Sequence, residues 1–325
     1  LRYRRLPYNF LIGGLFEEGI MDTSYLPKAK INLMPTFYFK NKSNKLEPMV
    51  DSTFILRRLE KLYSDRSAVP KSSVLNFLNY LIEDFADEWL TKATFHYRWT
   101  YDEDIKKAGS TLSRWRSLTD NEETIKPIRK DISERQISRL YVVGSNTTTS
   151  DIIEGSYKNI LKLMDKHMNN YPYIFGERPS SSDFALYGQL TQLAAFDPTP
   201  MKIADNIASR IVAWVGVMED LSGLEVNNSD WVNSNNLTES FRNIFYEIGN
   251  TYIPVLKANS EAVYQNKEEV KIEINGKLWT QKPFYYQSKC LNWIKEEYEA
   301  LENKDKNFID DFLNGTGCEQ LFNEK

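Results

Sequence analysis

A chain of 325 residues with 41% hydrophobic and 26% charged side chains has the make-up of an ordinary globular protein and is long enough for two domains of about 150 residues each. Its net charge of −4 and pI near 5.5 speak against a nucleic-acid partner, which leaves a basic footprint, and no apolar run nears the roughly 20 residues that a membrane span needs. Cys290 and Cys318 are too few for a disulfide framework and suit a reducing compartment, so a cytoplasmic protein with no membrane partner is expected.

The chain opens Leu1-Arg2-Tyr3-Arg4-Arg5-Leu6-Pro7-Tyr8, with no initiator Met and no targeting pattern, and reads as cut into rather than begun. Residues 8–16 are apolar and aromatic enough for a strand. A second strand is expected over 31–39, interrupted by Pro35, which removes a ladder donor and belongs at an edge, a bulge or a cis turn. A short third strand over 46–50 precedes a helix capped by Ser52 and carrying Phe54, Ile55, Leu59 and Leu62 at helical spacing. From Ser72 the pattern turns helical: Val74, Phe77, Leu78, Leu81, Ile82 and Phe85 recur at i, i+3, i+4, and Trp89 and Leu90 continue the stripe. Further helices are expected over 133–142, 150–168, 181–195 and 204–221, with Asp197-Pro198-Thr199-Pro200 ending one and preparing the next. The last hundred residues hold a helical run over 238–264 and a hairpin of 270–274 and 277–280 about Asn275-Gly276, the favoured type I′ pair. A charged helix over 289–301 and a short helix ending at Asn314-Gly315 follow. Strands first and then a long helical block make the fold class α+β.

The most informative stretch runs from Phe175 to Gly188. A glycine turn leads into Pro179, and Ser180 and Asp183 stand three apart before an apolar run, which is a capping box. By itself this marks only a helix start. The whole string closely resembles the core helix start of the all-α domain of the glutathione S-transferase superfamily, in which Gly-x-x-Pro-Ser/Thr-x-x-Asp nucleates folding. Residues 1–8 resemble the end of that family's first helix and the turn into its second strand. The resemblance spans about 1–221 and is to a bacterial-type member with a long C-terminal extension. It implies a thioredoxin-like domain over 1–70 lacking its first strand, an all-α domain over 71–221, and an extension over 222–325.

The resemblance also implies a site. Met34-Pro35 stands where the family has a cis-proline whose preceding residue offers a backbone edge to the cysteinyl unit of glutathione; an ordinary trans-proline edge is the alternative. Asp51-Ser52 matches the acidic-Ser pair that reads the γ-glutamyl end, though Asp-Ser-Thr is equally a plain helix cap. The residue that would activate the glutathione thiol belongs to a loop expected upstream of Leu1, so no catalytic residue is nominated; Tyr3 and Tyr8 look like packing residues. Phe95, His96, Trp99 and Tyr187 are candidates for lining an electrophile pocket, against the plainer reading of an aromatic core stripe. His96 is either an acid or base near neutrality or a structural histidine. Asp84, Glu88 and His96 share a face only loosely, with Lys92 intervening, so no metal is expected. Cys318 is either a reactive thiol at a helix start or a buried one after a glycine cap. The expected activity is transfer of the glutathione thiolate to a small electrophile, by a homodimer with glutathione as substrate. The alternative is a non-catalytic scaffold of the same fold, suggested by an extension rich in aromatics that must be buried somewhere.

Overall fold

The computed structural model describes residues 1–12, 21–115 and 117–322. Its helices and two small antiparallel sheets form an α+β architecture that divides into two compact units, one of residues 1–67 and 106–135, the other of 68–105 and 136–325.

The first unit is built on a hairpin. β1 (Phe37–Lys40) pairs with β2 (Leu46–Met49) in the register Phe37↔Met49 to Lys40↔Leu46. The carboxamide of Asn41 accepts from the amides of Ser43 and Lys45 at 2.9 and 3.0 Å and sets the turn. The strand expected over 31–39 is thus cut to its second half, because Pro35 gives the ladder no N–H; the Met34–Pro35 bond is cis. Of the strand expected over 8–16, residues 8–12 carry no regular structure and 13–16 lie outside the described residues. α1 (Ser52–Leu62) follows β2, with Asp51 as its cap in place of Ser52. The first residues turn onto the far end of α1. Arg4 donates to Glu60 at 2.6 Å and to the carbonyls of Tyr63 and Asp65, and Arg66 lies 4.8 Å over the buried Tyr3 ring. Tyr3 therefore packs as expected, whereas Tyr8 is exposed.

α2 (Ser73–Phe85) starts at a Ser72 cap and runs through a π-turn (Ala86–Leu90) into α3 (Thr91–Thr100). Leu78, Leu81, Ile82 and Phe85 are fully buried, as their spacing predicts. Two polar helices come next, α4 (Asp102–Arg114) and α5 (Glu122–Ile137). The first has no counterpart in the sequence reading. The second begins 11 residues before the expected 133, because its early turns carry charges and Pro127 rather than an apolar stripe.

The bundle continues with α6 (Ser150–His167), α7 (Ser181–Leu193), α8 (Pro198–Ile207) and α9 (Ser209–Met218); the single helix expected over 204–221 breaks at Ala208. The start of α7 is the best-determined joint of this unit. Ser180 accepts from the Asp183 amide, and the Asp183 carboxylate accepts from the amides of Ser180 and Ile174, each at 2.9 Å. Asn79 on α2 donates to the Ser181 hydroxyl at 2.7 Å and accepts from the Ser182 amide at 3.0 Å, while Ser181 donates to Glu83. Two residues one turn apart on α2 thus extend the cap of α7. Gly176 (φ 122) is required because a Cβ there would stand 2.4 Å from the Asp230 carbonyl oxygen.

The final segment belongs to the same unit. α10 (Glu239–Glu247) passes through a second π-turn (Ile248–Tyr252) into α11 (Ile253–Tyr264). β3 (Val270–Ile274) and β4 (Lys277–Gln281) form the expected hairpin, with Asn275 and Gly276 both at positive φ, and α12 (Tyr285–Glu299) and α13 (Asn303–Leu313) follow. Its aromatics complete the core: Trp279 lies 5.1 Å from Trp89 and Tyr252 6.1 Å from Phe85. The second π-turn presses on the chain near Cys318. A Cβ on Gly249 would meet the Thr316 carbonyl oxygen at 2.3 Å and the Cys318 amide at 2.6 Å. Backbone on both sides cannot yield cheaply, so Gly249→Ala is expected to destabilise the unit by about 2–4 kcal/mol, read as a lower denaturation midpoint at unchanged m-value.

Candidate functional site

In the first unit the hairpin register gathers four residues. Met34 and Pro35 lie just before β1, and Asp51 and Ser52 just after β2, at the end that the pair Phe37↔Met49 closes. All four therefore stand at one end of the hairpin, where α1 begins. Asp51 has φ 78 and ψ 113, a sparsely populated conformation for a residue with a side chain. Such outliers persist where the surroundings over-determine them, and they cluster at ligand clamps. The Asp51 carboxylate accepts from the Thr53 amide at 3.2 Å, and the first turn of α1 supplies amides without intrahelical partners. Met34 is more than half exposed. Together these place a carboxylate, a hydroxyl, a helix N-terminus and the cis Met34–Pro35 segment at one end of the hairpin. That set can recognise a zwitterionic amino-acid group beside a peptide backbone.

The four residues expected to line a pocket lie in the second unit. Phe95 and Trp99 share one side of α3, Trp99 buried and Phe95 half-buried. Tyr187, on α7, donates to Glu219. None of the four lines either of two open grooves on this unit. One, about 680 Å³, lies by Pro254, Tyr264, Ile272 and Leu291; the other, about 520 Å³, lies by Asp165, Asp205 and Arg210.

His96 is buried, with Nδ1 2.8 Å from the Ser145 hydroxyl and Nε2 3.4 Å from Glu154, which also accepts from Tyr101 and Lys158. Burial lowers its pKa against the opposing pull of Glu154. A serine, a histidine and a carboxylate in a row suggest a nucleophilic triad, but the amides around Ser145 are spent. Gly144 and Ser145 donate to the carbonyls of Tyr141 and Leu140, both at 3.1 Å, and Asn146 donates to Thr149. With no amide left for an oxyanion, the row is a structural tie between α3, the 140–146 loop and α6. Among the described residues no three His, Cys, Asp or Glu side chains are placed to hold a metal ion.

Cys318 is fully buried and donates to the Phe245 carbonyl at 3.3 Å. Burial raises its pKa far above the ordinary range, which is the environment of an inert thiol.

One titratable cluster was not anticipated as such. Asp84 on α2 accepts from the Tyr252 hydroxyl at 2.5 Å and is bonded to the Cys290 thiol of α12. Burial, reinforced by the charge of Glu88, pushes the Asp84 carboxyl up to about 8. One turn beyond Glu88, the buried Lys92 ammonium lies beside both Trp89 and Trp279, 5.9 and 5.7 Å from their ring centres, and donates to the Val143 carbonyl at 3.2 Å. Burial pulls it down to about 8, with Glu88 opposing. The signal in the sequence is Asp84, Glu88 and Lys92 at four-residue spacing along a largely buried helix; what it lacks is Tyr252, Cys290 and Trp279, more than 160 residues away.

Comparison of the chain with protein-family models, with curated proteins and with solved structures finds no match in any of the three.

Proposed function

We propose that this chain binds glutathione at the open end of the β1–β2 hairpin and serves the transfer of its thiolate to a small electrophile. The observation that supports the reading is that the cis Met34–Pro35 bond leads into β1 and the Asp51–Ser52 start of α1 follows β2 at the same end of the hairpin, together with the unusual backbone of Asp51. In this reading the Asp51 carboxylate pairs with the ligand's α-ammonium. The Ser52 hydroxyl and the first amides of α1 hold the γ-glutamyl carboxylate, and the backbone of Met34 pairs with the cysteinyl unit. The thiolate is the nucleophile of such a transfer: it attacks the electrophilic carbon, forms the thioether and expels the leaving group with its electron pair. None of residues 1–325 is assigned the task of holding the thiol deprotonated.

The scaffold alternative drew on aromatics of 222–325 with no assigned place. Tyr252 and Trp279 are fully buried within the second unit, and Tyr264 and Tyr285 are exposed. The transfer reading is therefore preferred. Retention on immobilised glutathione, with release by free glutathione but not by glycine or glutamate, tests it. A chain that passes through unretained at low flow and neutral pH speaks against it.

A further inference from the structure

The whole-chain charge of −4, from which no anionic partner is expected, averages two units of opposite sign. The first unit, residues 1–67 and 106–135, contains 20 basic and 12 acidic side chains, a net charge of +8. The second contains 21 basic and 33 acidic, a net charge of −12. A separation of this size within one chain is a signature of attraction to an extended anionic surface.

The positive unit is also poorly covered. Among its described residues the buried apolar side chains are Tyr3, Ile55, Ala108 and Ile125, whereas Phe10 and Tyr25 are 70% and 69% exposed and Ile31 and Leu33 60% and 48%. These exposed groups lie on two stretches that the structure joins, since the Met21 amide donates to the Ile12 carbonyl at 2.9 Å. Arg5, Lys28 and Lys30 stand in or beside the same stretches and are exposed. The hairpin adds Lys40, Lys42 and Lys45, all exposed and carried on a turn that Asn41 holds rigid. Exposed apolar groups and exposed cations carried on the same unit suit an interaction surface.

We infer that the first unit docks on an anionic lipid surface, its lysines among the headgroups and the exposed side chains of 8–12 and 21–33 entering the headgroup–acyl boundary. This is adsorption to one leaflet; among the described residues no helix is long and apolar enough to cross a membrane. Single-stranded nucleic acid is the rival polyanion, but Leu11, Ile31 and Leu33 have no ring to stack on a base, whereas each gains by leaving water for an acyl layer.

The test is co-sedimentation of the full chain with vesicles of phosphatidylcholine, alone or with about 30 mol% phosphatidylglycerol. At about 50 mM salt the anionic vesicles are expected to retain the chain at least about tenfold better than the neutral ones, and about 500 mM salt should abolish the difference. Lys42→Glu/Lys45→Glu should cut retention at least about fivefold. Phe10→Ser/Tyr25→Ser should also cut it, which pure charge attraction would not. All four positions are exposed, so the variants should melt with the parent protein. Equal retention by both vesicle types, no retention at low salt, indifference to Phe10→Ser/Tyr25→Ser, or displacement from vesicles by an equal charge of polyuridylate would overturn the inference.

Discussion

Replacing Asp51 by asparagine is expected to weaken glutathione binding by about tenfold to a hundredfold while leaving the fold intact. A charge-assisted hydrogen bond to an ammonium contributes about 1.5–3 kcal/mol, and the loss of the carboxylate removes that contribution. The cap is a separate matter. Asp51 also accepts from the Thr53 amide, and asparagine is as good a cap as aspartate and tolerates positive φ. Asp51→Ala should show both losses, the weaker binding and about 1 kcal/mol of helix stability, with further strain from φ 78. Calorimetric titration of the two variants separates them. If Asp51→Asn binds as tightly as the parent chain, Asp51 is a cap and nothing more.

The second large effect is on stability against pH. Asp84, held up to about 8 in the fold, keeps its proton where an unfolded aspartate, with a pKa near 4, has lost it. The folded state therefore binds more protons between those values, and stability falls as pH rises through them, by up to about 1.4 kcal/mol per unit. Other groups overlap below pH 6.5. Asp183, raised to about 6, and Glu247, also raised, act in the same direction; His96 and His167, both lowered by burial, oppose them, because unfolding there takes up protons. Between about 6.5 and 8 Asp84 dominates, and a loss of up to about 2 kcal/mol is expected across that window. Above it two groups oppose each other. Lys92 has lost its proton in the fold above about 8 but keeps it unfolded until about 10.4, which favours the fold as pH rises, whereas the buried Cys318 thiol keeps its proton where an unfolded thiol loses it, which disfavours it. The fall should level off above about pH 8. Asp84→Asn keeps a partner for Tyr252 and should flatten the fall between 6.5 and 8, as followed by urea midpoints at several pH values. A parent curve already flat there, or a variant with the parent's slope, would show that Asp84 ionises normally.

Local chemistry was the legible part of this fold. Ser72, the Ser180–Asp183 pair and Asn275-Gly276 each act within four residues, and each marks the element it was read to mark. Helices lacking an apolar stripe were hidden: α4 and the first turns of α5 are polar, and neither their extent nor their place with residues 1–67 follows from periodicity. The break at Ala208 was equally invisible, since apolar residues recur across 204–221 with no proline or glycine at the break. For the candidate site, the residues were named through a family likeness, but their meeting rests on a plainer fact. A short antiparallel hairpin brings whatever precedes its first strand opposite whatever follows its second. Long-range groupings were out of reach. Nothing near Asp84 in the chain points to Tyr252 or Cys290, and the full contrast of charge, +8 against −12 rather than the +5 against −9 of a cut at residue 67, emerges only once 106–135 is known to pack with the first.

The central claim, that the end of the β1–β2 hairpin is a glutathione site, is tested most directly by thermal unfolding of the chain in rising glutathione. A ligand that binds only the folded state stabilises by about 2.7 kcal/mol at a hundredfold excess over its dissociation constant. The account predicts a saturable rise in Tm that glutamate or cysteine alone does not reproduce. No shift up to about 10 mM glutathione, where even millimolar affinity would register as more than 1 kcal/mol, would contradict it.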